Sequence, residues 1–153
     1  MMYRLLTVLA ACWITGQTGT AQDKPLEDAR RIQGVWVWDR TEKQSEAQPQ
    51  ILIEEIIFRG DTLTFHYRFG DQRTTSKCAF SLDPKASPKQ INFTPADGTN
   101  QGKTYLGIYE FKDGLLKIAY RGPGSTRPKD FTDKAAGNDS TVFIHLKPLP
   151  GDA

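Results

Sequence analysis

The chain of 153 residues contains few of the side chains from which catalytic or metal sites are usually built. Its only histidines are His66 and His145, and its only cysteines are Cys12 and Cys78. A protein metal site needs three or four converging His, Cys, Asp or Glu ligands. No spacing in this sequence brings a third such ligand beside the two histidines. We therefore expect no metal, no cofactor and no enzymatic activity.

The sequence shows no acid–base or nucleophilic arrangement. Glu54 and Glu55 are consecutive in a predicted strand, so their carboxylates should point to opposite faces and not act as a pair. His66 and His145 fall on the polar faces of their predicted strands, where we expect them to be solvated. Cys78 falls on an apolar face, which predicts a small buried side chain rather than a reactive thiol.

Tyrosine and arginine supply the polar groups from which a binding site could form. Tyr67, Tyr109 and Tyr120 lie on the predicted inward faces of three strands, and a buried tyrosine hydroxyl needs a hydrogen-bond partner. Arg121 and Arg127 follow in sequence and could stand at the rim of the same site. We predict that these five residues bind a small ligand with an apolar body and a polar or anionic end. In the alternative reading the aromatic side chains only fill the core.

A central hairpin would position several of these groups. Residues 105–111 and 115–120 each alternate between apolar and polar side chains, as half-buried strands do. Asp113 and Gly114 stand between the two runs. Asp-Gly favours a two-residue type I′ turn, because both turn residues need a positive φ. The stretch therefore predicts two antiparallel strands joined by a tight turn.

The remaining sequence predicts more strands of the same kind. The eight predicted strands cover residues 34–38, 51–58, 62–69, 73–82, 90–94, 105–111, 115–120 and 141–147. Short strands at close spacing indicate an all-β antiparallel sandwich or an up-and-down barrel. A short N-terminal helix is predicted over 22–33, with acidic residues early and basic residues late. We assign the β domain to 34–148 and a flexible tail to 149–153.

Residues 1–21 have the pattern of a secretory signal peptide. Arg4 precedes an apolar run over 5–14, and Ala21 closes a small-residue cleavage site. We expect a secreted or periplasmic protein cleaved near Ala21. The alternative is a lipoprotein anchored at Cys12, because residues 9–12 match a lipobox. The apolar run is too short for a membrane span.

Net charge gives no sign of a nucleic-acid partner. The whole chain carries a formal charge of +2, and removal of 1–21, which contains Arg4 and no acidic residue, leaves +1. No run of like charges stands out. The sequence therefore does not have the basic surface typical of nucleic-acid binding.

Two stretches are similar to a known family. The run Ile32-Gln33-Gly34-Val35-Trp36 resembles the opening of a small secreted domain family typical of planctomycete bacteria. Residues 82–131 resemble the body of the same uncharacterised domain. That family is lipocalin-like and has no established biochemical activity.

The resemblance implies an eight-stranded lipocalin-like up-and-down barrel. Gly34, Val35 and Trp36 are similar to the G-x-W signature of lipocalins, in which the Trp packs across the closed end of the barrel. Lipocalins usually pair that Trp with an Arg near the end of the last strand. The nearest equivalent here is Lys147.

Two functional hypotheses follow. In the first, a secreted lipocalin-like domain binds a small apolar or amphipathic molecule without catalysis. In the second, a solidly packed barrel serves as an envelope protein–protein interaction module, with residues 122–138 as the main contact loop. An internal cavity would favour the first hypothesis, and a core filled by aromatic side chains would favour the second.

Overall fold

A computed structural model describes residues 23–39, 51–134 and 140–150. The predicted signal peptide over 1–21, with Cys12 and Ala21, lies outside the described residues. So do residue 22 of the predicted helix, residues 135–138 of the predicted contact loop and residues 151–153 of the predicted tail.

The described chain forms one short helix followed by eight antiparallel strands. The elements are α1 (Asp23–Arg31), β1 (Gly34–Trp38), β2 (Ile51–Arg59), β3 (Thr62–Phe69), β4 (Gln72–Asp83), β5 (Gln90–Pro95), β6 (Tyr105–Lys112), β7 (Leu115–Arg121) and β8 (Val142–Pro148). Each strand pairs with its neighbour in sequence, and β1 also pairs with β8, which closes the barrel. The predicted all-β, lipocalin-like up-and-down barrel is confirmed. The β1–β8 pairing settles the choice between barrel and sandwich.

The predicted central hairpin is β6 and β7. Tyr109 pairs with Ile118, and Lys112 pairs with Leu115 across the turn. Asp113 has φ of 54° and Gly114 has φ of 78°. Both signs are those that a type I′ turn requires, so the Asp-Gly prediction is confirmed.

Alternation along the strands divides the barrel into an apolar interior and a polar outer wall. Buried positions alternate in β5 and β8, where Ile91 and Phe93, and Val142, Ile144 and Leu146, point inward. A period of two turns alternate side chains to opposite faces of a strand. Cys78 is 3% exposed on an inward position of β4, which confirms the expectation of a buried thiol.

Helix α1 packs across one end of the barrel, which we call the helix end. Ile32, just after the helix, is fully buried in the core. The Gln33 side chain joins the turn between β2 and β3: its Oε1 accepts the Gly60 N–H at 2.8 Å, and its Nε2 donates to the Gly60 carbonyl at 3.2 Å. These contacts fix the entry of β1 into the barrel.

Trp36 completes the helix end from inside. Its indole N–H donates to the Ile32 carbonyl at 2.8 Å, and its ring lies 6.0 Å from that of Phe111. The Arg31 guanidinium lies 4.3 Å from the Phe111 ring centroid. Lys147, which pairs with Val37, lies on the outer wall. The cation near the Trp36 cluster therefore comes from the helix and not from the last strand.

A β-bulge interrupts the β2–β3 ladder at Glu54. Ile53 pairs with Tyr67, but Glu55, two residues on, pairs with His66, which is only one residue back. An extra residue on one strand changes which side chains share a face. Glu54 then binds Arg68 and Arg73, and Glu55 approaches His66, all on the outer wall. The expectation that Glu54 and Glu55 point to opposite faces is therefore wrong.

Candidate functional site

A cavity of about 320 Å³ opens at the end of the barrel opposite α1, which we call the mouth. We call this cavity the cup. Its aromatic lining is Phe65, Tyr67, Phe93, Tyr105 and Tyr120. The rest of its lining is Ile53, Ser76, Cys78, Pro95 and Asn100. Ligand pockets in proteins typically begin near 300 Å³, so the cup is large enough for a small ligand.

The aromatic rings of the cup contact one another in ordered geometries around Phe93. Phe93 stacks on Tyr105 at 5.0 Å with planes 8° apart, and Tyr120 meets Phe93 edge-on at 5.0 Å and 76°. Phe65 lies 5.7 Å from Phe93 at 58°. Offset-stacked and edge-to-face pairs are the favourable arrangements of aromatic rings. The rings therefore support one another, and their packing sets the shape of the cup.

Several hydroxyl groups face this space. Among the described residues, the hydroxyls of Tyr67 and Tyr120 have no hydrogen-bond partner, although their rings line the cup. The Asn100 Nδ2 donates to the Tyr105 hydroxyl oxygen at 2.7 Å, which leaves the Tyr105 O–H free to donate elsewhere. The mouth thus offers donors and acceptors beside an apolar wall.

The cup is a poor environment for charge. Burial raises the pKa values of the Tyr105 and Tyr120 phenols above their usual range. Burial also raises the pKa of Cys78 to about 11; a hydrogen bond with Ser76 opposes the rise, and the negative charge of Asp97 adds a smaller upward contribution. Desolvation disfavours the charged form of each group. Tyr105, Tyr120 and the Cys78 thiol are therefore neutral near pH 7.

Tyr109, the third tyrosine predicted for the site, lies at the helix end. Its hydroxyl donates to the Asp28 carboxylate at 2.7 Å, and the Lys89 ammonium lies 2.6 Å from the same oxygen. Burial, and then the hydrogen bond and charge of Asp28, raise the Tyr109 pKa well above its usual range. Tyr109 therefore holds α1 against the barrel, away from the cup.

Arg121 points outward from β7, although it is only 4% exposed. Its Nε donates to the Thr141 hydroxyl at 2.9 Å, its Nη1 to Thr126 and its Nη2 to the Asp133 carboxylate at 2.7 Å. All of these partners belong to the connection between β7 and β8. Arg121 therefore organises this connection on the outer wall, and it does not reach into the cup.

Arg127 is also committed to the outer wall. Its Nη1 donates to the carbonyls of Ile91 and Gly107, and its Nη2 donates to the Asn92 side chain at 2.7 Å. The next residue, Pro128, is fully buried. Arg127 thus fastens the β7–β8 connection across β5 and β6. Partial burial lowers the Arg127 pKa from its ordinary value.

The structure therefore brings together two of the five residues predicted for the site. Tyr67 and Tyr120 share the cup, whereas Tyr109, Arg121 and Arg127 have structural partners elsewhere. Strand direction explains the difference, because β3 and β7 end at the mouth while β6 begins there. The tyrosine of β6 that reaches the mouth is Tyr105, which the sequence reasoning missed. Its signal was the alternation of directions in an up-and-down barrel.

A second concavity of about 800 Å³ lies on the outer wall of β1 to β4 near the mouth, and we call it the outer groove. Glu54 accepts a hydrogen bond from Arg68 at 2.7 Å and pairs with Arg73 at 3.2 Å. Lys147 and Glu55 add one charge of each sign. Opposite charges are thus paired across the outer groove, so no strong field of one sign develops.

Thr75, His66 and Glu55 form a row of the residue types used in hydrolytic triads. The Thr75 hydroxyl lies 3.0 Å from His66 Nδ1, but His66 Nε2 lies 3.9 Å from the Glu55 carboxylate. The second distance exceeds hydrogen-bond range. The carboxylate therefore does not orient the imidazole as a triad requires. Among residues 23–39, 51–134 and 140–150, no three His, Cys, Asp or Glu side chains are grouped to hold a metal ion.

No protein-family model, no curated protein and no solved structure matches the chain. Within the described part of the chain, no helix has the length and apolar character needed to cross a membrane.

Proposed function

We propose that the barrel is a non-catalytic binding domain that takes a small apolar or amphipathic ligand into the cup. The observation that carries the proposal is the pairing of an aromatic cavity with tyrosine hydroxyls that lack partners among the described residues. Water can reach both hydroxyls. A ligand that hydrogen-bonds to Tyr67 and Tyr120 would replace this water, with a net gain of about 0.5–1.5 kcal/mol for each hydrogen bond, while burying its own apolar surface.

The alternative is an envelope protein–protein interaction module. That hypothesis needs a solidly packed barrel, and the cup weighs against it. It also uses residues 122–138 as a free contact loop, whereas Arg121 and Arg127 bind the described part of this connection to the barrel. The outer groove is the surface that would serve such a partner.

Location is a separate part of the proposal. We propose that the protein is secreted or periplasmic after cleavage near Ala21, with a lipid anchor at Cys12 as the alternative. The intact mass of the protein purified from its host separates the two, because an N-terminus at Gln22 and a lipid on Cys12 give different masses.

Native mass spectrometry of the protein purified from its host under gentle conditions is the direct test of binding. A small molecule that remains bound, and that is lost on denaturation, supports the binding domain. A second measurement uses the neutral fluorescent probe N-phenyl-naphthylamine with the full chain carrying Cys12→Ser. The probe should gain fluorescence on binding and slow the reaction of Cys78, the one remaining thiol, with a maleimide.

A matched pair of substitutions locates the site. Ser76→Phe places a ring inside the cup, whereas Lys77→Phe places the same ring on the opposite face of β4. We expect Ser76→Phe to abolish probe binding and Lys77→Phe to leave it unchanged. Equal probe binding by both folded variants, or failure of the wild type to bind the probe and to retain any molecule, would refute the proposal.

A further inference from the structure

We infer that the cup selects uncharged aromatic ligands that carry a hydroxyl, carbonyl or amide group, and that it rejects anionic ones. This inference rests on the proposed function, since it specifies the chemistry of the ligand that the same cup takes. It replaces the sequence-based expectation of a polar or anionic end. The charge distribution around the cup carries the argument.

No described residue that lines the cup is charged. The two arginines predicted for the site are committed outside it, and Arg68 and Arg73 pair with Glu54 in the outer groove. Arg121 pairs with Asp133, and Arg127 binds two backbone carbonyls and Asn92. A carboxylate entering the cup would therefore lose water without gaining a cation. The desolvation of an unpaired ion costs several kcal/mol even after protein relaxation.

An acidic residue lies close enough to the cup to act on its interior. The negative charge of Asp97, in the loop between β5 and β6, adds to burial in raising the pKa of the Cys78 thiol. The same charge acts on a bound anion as it does on the thiolate, so it opposes anionic ligands. Asp97 is itself exposed and screened by solvent, so its effect on a bound anion is weak, and a cation in the cup would also lose water without gaining a paired carboxylate.

The shape of the lining favours a flat ring. Phe93 and Tyr105 are already stacked, and Tyr120 and Phe65 meet Phe93 at steep angles. A ligand ring can extend this arrangement by edge-to-face or offset contacts, each of which adds to the area buried. The volume of about 320 Å³ equals that of roughly ten water molecules. We expect ligands of one or two fused rings.

The polar atoms suit a neutral hydrogen-bonding group. Tyr67 and Tyr120 hydroxyls can each donate and accept. Because Asn100 donates to the Tyr105 oxygen, the Tyr105 hydrogen remains available, and the Asn100 carbonyl oxygen can accept. A hydroxyl, carbonyl or amide therefore finds complementary partners, while a plain hydrocarbon would leave the hydroxyls unpaired.

The test displaces N-phenyl-naphthylamine from the full chain with four naphthalene derivatives. These are naphthol, naphthoate, trimethyl-naphthyl-ammonium and naphthalene itself. We expect naphthol to compete best, naphthalene about fivefold less well because it lacks one hydrogen bond, and both ions at least about tenfold less well than naphthol.

The outcomes separate the inference from the function. Equal or better competition by naphthoate or by the ammonium compound would overturn the inference while leaving a binding domain in place. Failure of the probe, an uncharged aromatic compound, to bind would also overturn the inference, and the proposed function would fall only if native mass spectrometry also found no retained molecule.

Variants provide an independent measurement. Tyr67→Phe and Tyr120→Phe should each reduce the preference for naphthol over naphthalene, and Tyr109→Phe, at the helix end, should leave that preference unchanged. Ser76→Lys should improve naphthoate relative to naphthol by at least about tenfold, because it places a cation in the cup. If Ser76→Lys does not fold, Asn100→Lys at the rim makes the same change. An unchanged ratio in a folded lysine variant would contradict the inference.

Discussion

The hydrogen bond from Tyr109 to Asp28 predicts that Tyr109→Phe destabilises the wild type but stabilises the Asp28→Ala variant. The Tyr109 hydroxyl donates to Asp28 at 2.7 Å, and the two residues are 1% and 6% exposed. Hydrogen bonds to charged groups contribute about 1.5–3 kcal/mol, so Tyr109→Phe should lower the free energy of unfolding by about 2 kcal/mol. For the roughly 110 residues that the structure describes, this corresponds to a fall in Tm of about 8 °C.

Asp28→Ala should cost more than Tyr109→Phe. It removes the same hydrogen bond, it removes the ion pair with Lys89, and it leaves the buried Tyr109 hydroxyl without its partner. The ion pair contributes less than about 1 kcal/mol, because the Lys89 side chain is 42% exposed. The stranded hydroxyl adds a further cost of about 1–3 kcal/mol.

The double variant distinguishes this account from simple loss of packing. In the Asp28→Ala background, Tyr109→Phe removes the stranded hydroxyl and should restore part of the lost stability. Urea unfolding followed by tryptophan fluorescence gives the four free energies of the cycle. If Tyr109→Phe destabilises both backgrounds equally, the hydroxyl–carboxylate contact contributes nothing and the reasoning is refuted.

Four further predictions concern stability. Gly107→Ala should lower the free energy of unfolding in urea by about 1–3 kcal/mol. The added Cβ would lie 2.9 Å from the Ala119 carbonyl oxygen and 3.1 Å from the Tyr120 Cβ. Gly122→Ala, whose Cβ would meet no atom within 4 Å, is the control and should be near neutral. Arg127→Lys should destabilise by about 1–2 kcal/mol, since lysine keeps the charge but loses the planar fork that reaches three acceptors; equal stability of the variant would show that the clamp is dispensable. The Cys78 pKa rises from 9.0 to about 11 on folding, so its contribution to stability is present below pH 9 and is lost as the pH rises to 11. Over this range the free energy of unfolding of the wild type should fall by about 2–3 kcal/mol more than that of Cys78→Ala. Identical pH profiles would contradict this prediction. The raised Tyr109 pKa acts in the same direction above pH 10, so Tyr109→Phe should reduce the alkaline slope of stability by about 1.4 kcal/mol per pH unit, and an unaltered slope would show that Tyr109 titrates normally.

The fold could be predicted from the sequence because its local signals agree with one another. Asp113 and Gly114 adopt the positive φ values that their residue types favour. Leu116, Ile118 and Tyr120 alternate on β7 and point to the interior. Closure could not be read from periodicity, because a strand that pairs on both sides has the same pattern as one at a sheet edge.

The site was harder to predict, because whether a residue belongs to it depends on the end of the barrel at which its side chain lies. Tyr105 and Tyr109 share one face of β6, yet Tyr105 lines the cup and Tyr109 binds Asp28. Period-two patterning gives the face and not the height along the barrel axis. The bulge at Glu54 was hidden for a related reason: nothing in the run of residues 51–58 marks where the ladder gains a residue.

The first of the two stretches on which the family resemblance was based, residues 32–36, has a structural role in this protein. Ile32 is buried, Gln33 binds the Gly60 backbone, and Trp36 donates to the Ile32 carbonyl. These residues close the helix end of the barrel and lie away from the cup. This stretch therefore bears on architecture, whereas the second stretch, residues 82–131, includes the cup residues Phe93, Tyr105 and Tyr120.

The pairing of β1 with β8 constrains how the barrel can assemble. Trp36 pairs with Pro148, so closure must bring together segments separated by nearly the whole described chain, which carries an entropic cost that grows with separation. Tyr120, on the wall of the cup, is held in place by its partner Val142 on β8. In a nascent chain without β8 the cup is therefore incomplete. If the cup takes a ligand as proposed, binding requires the last strand, so ligand binding would report complete folding.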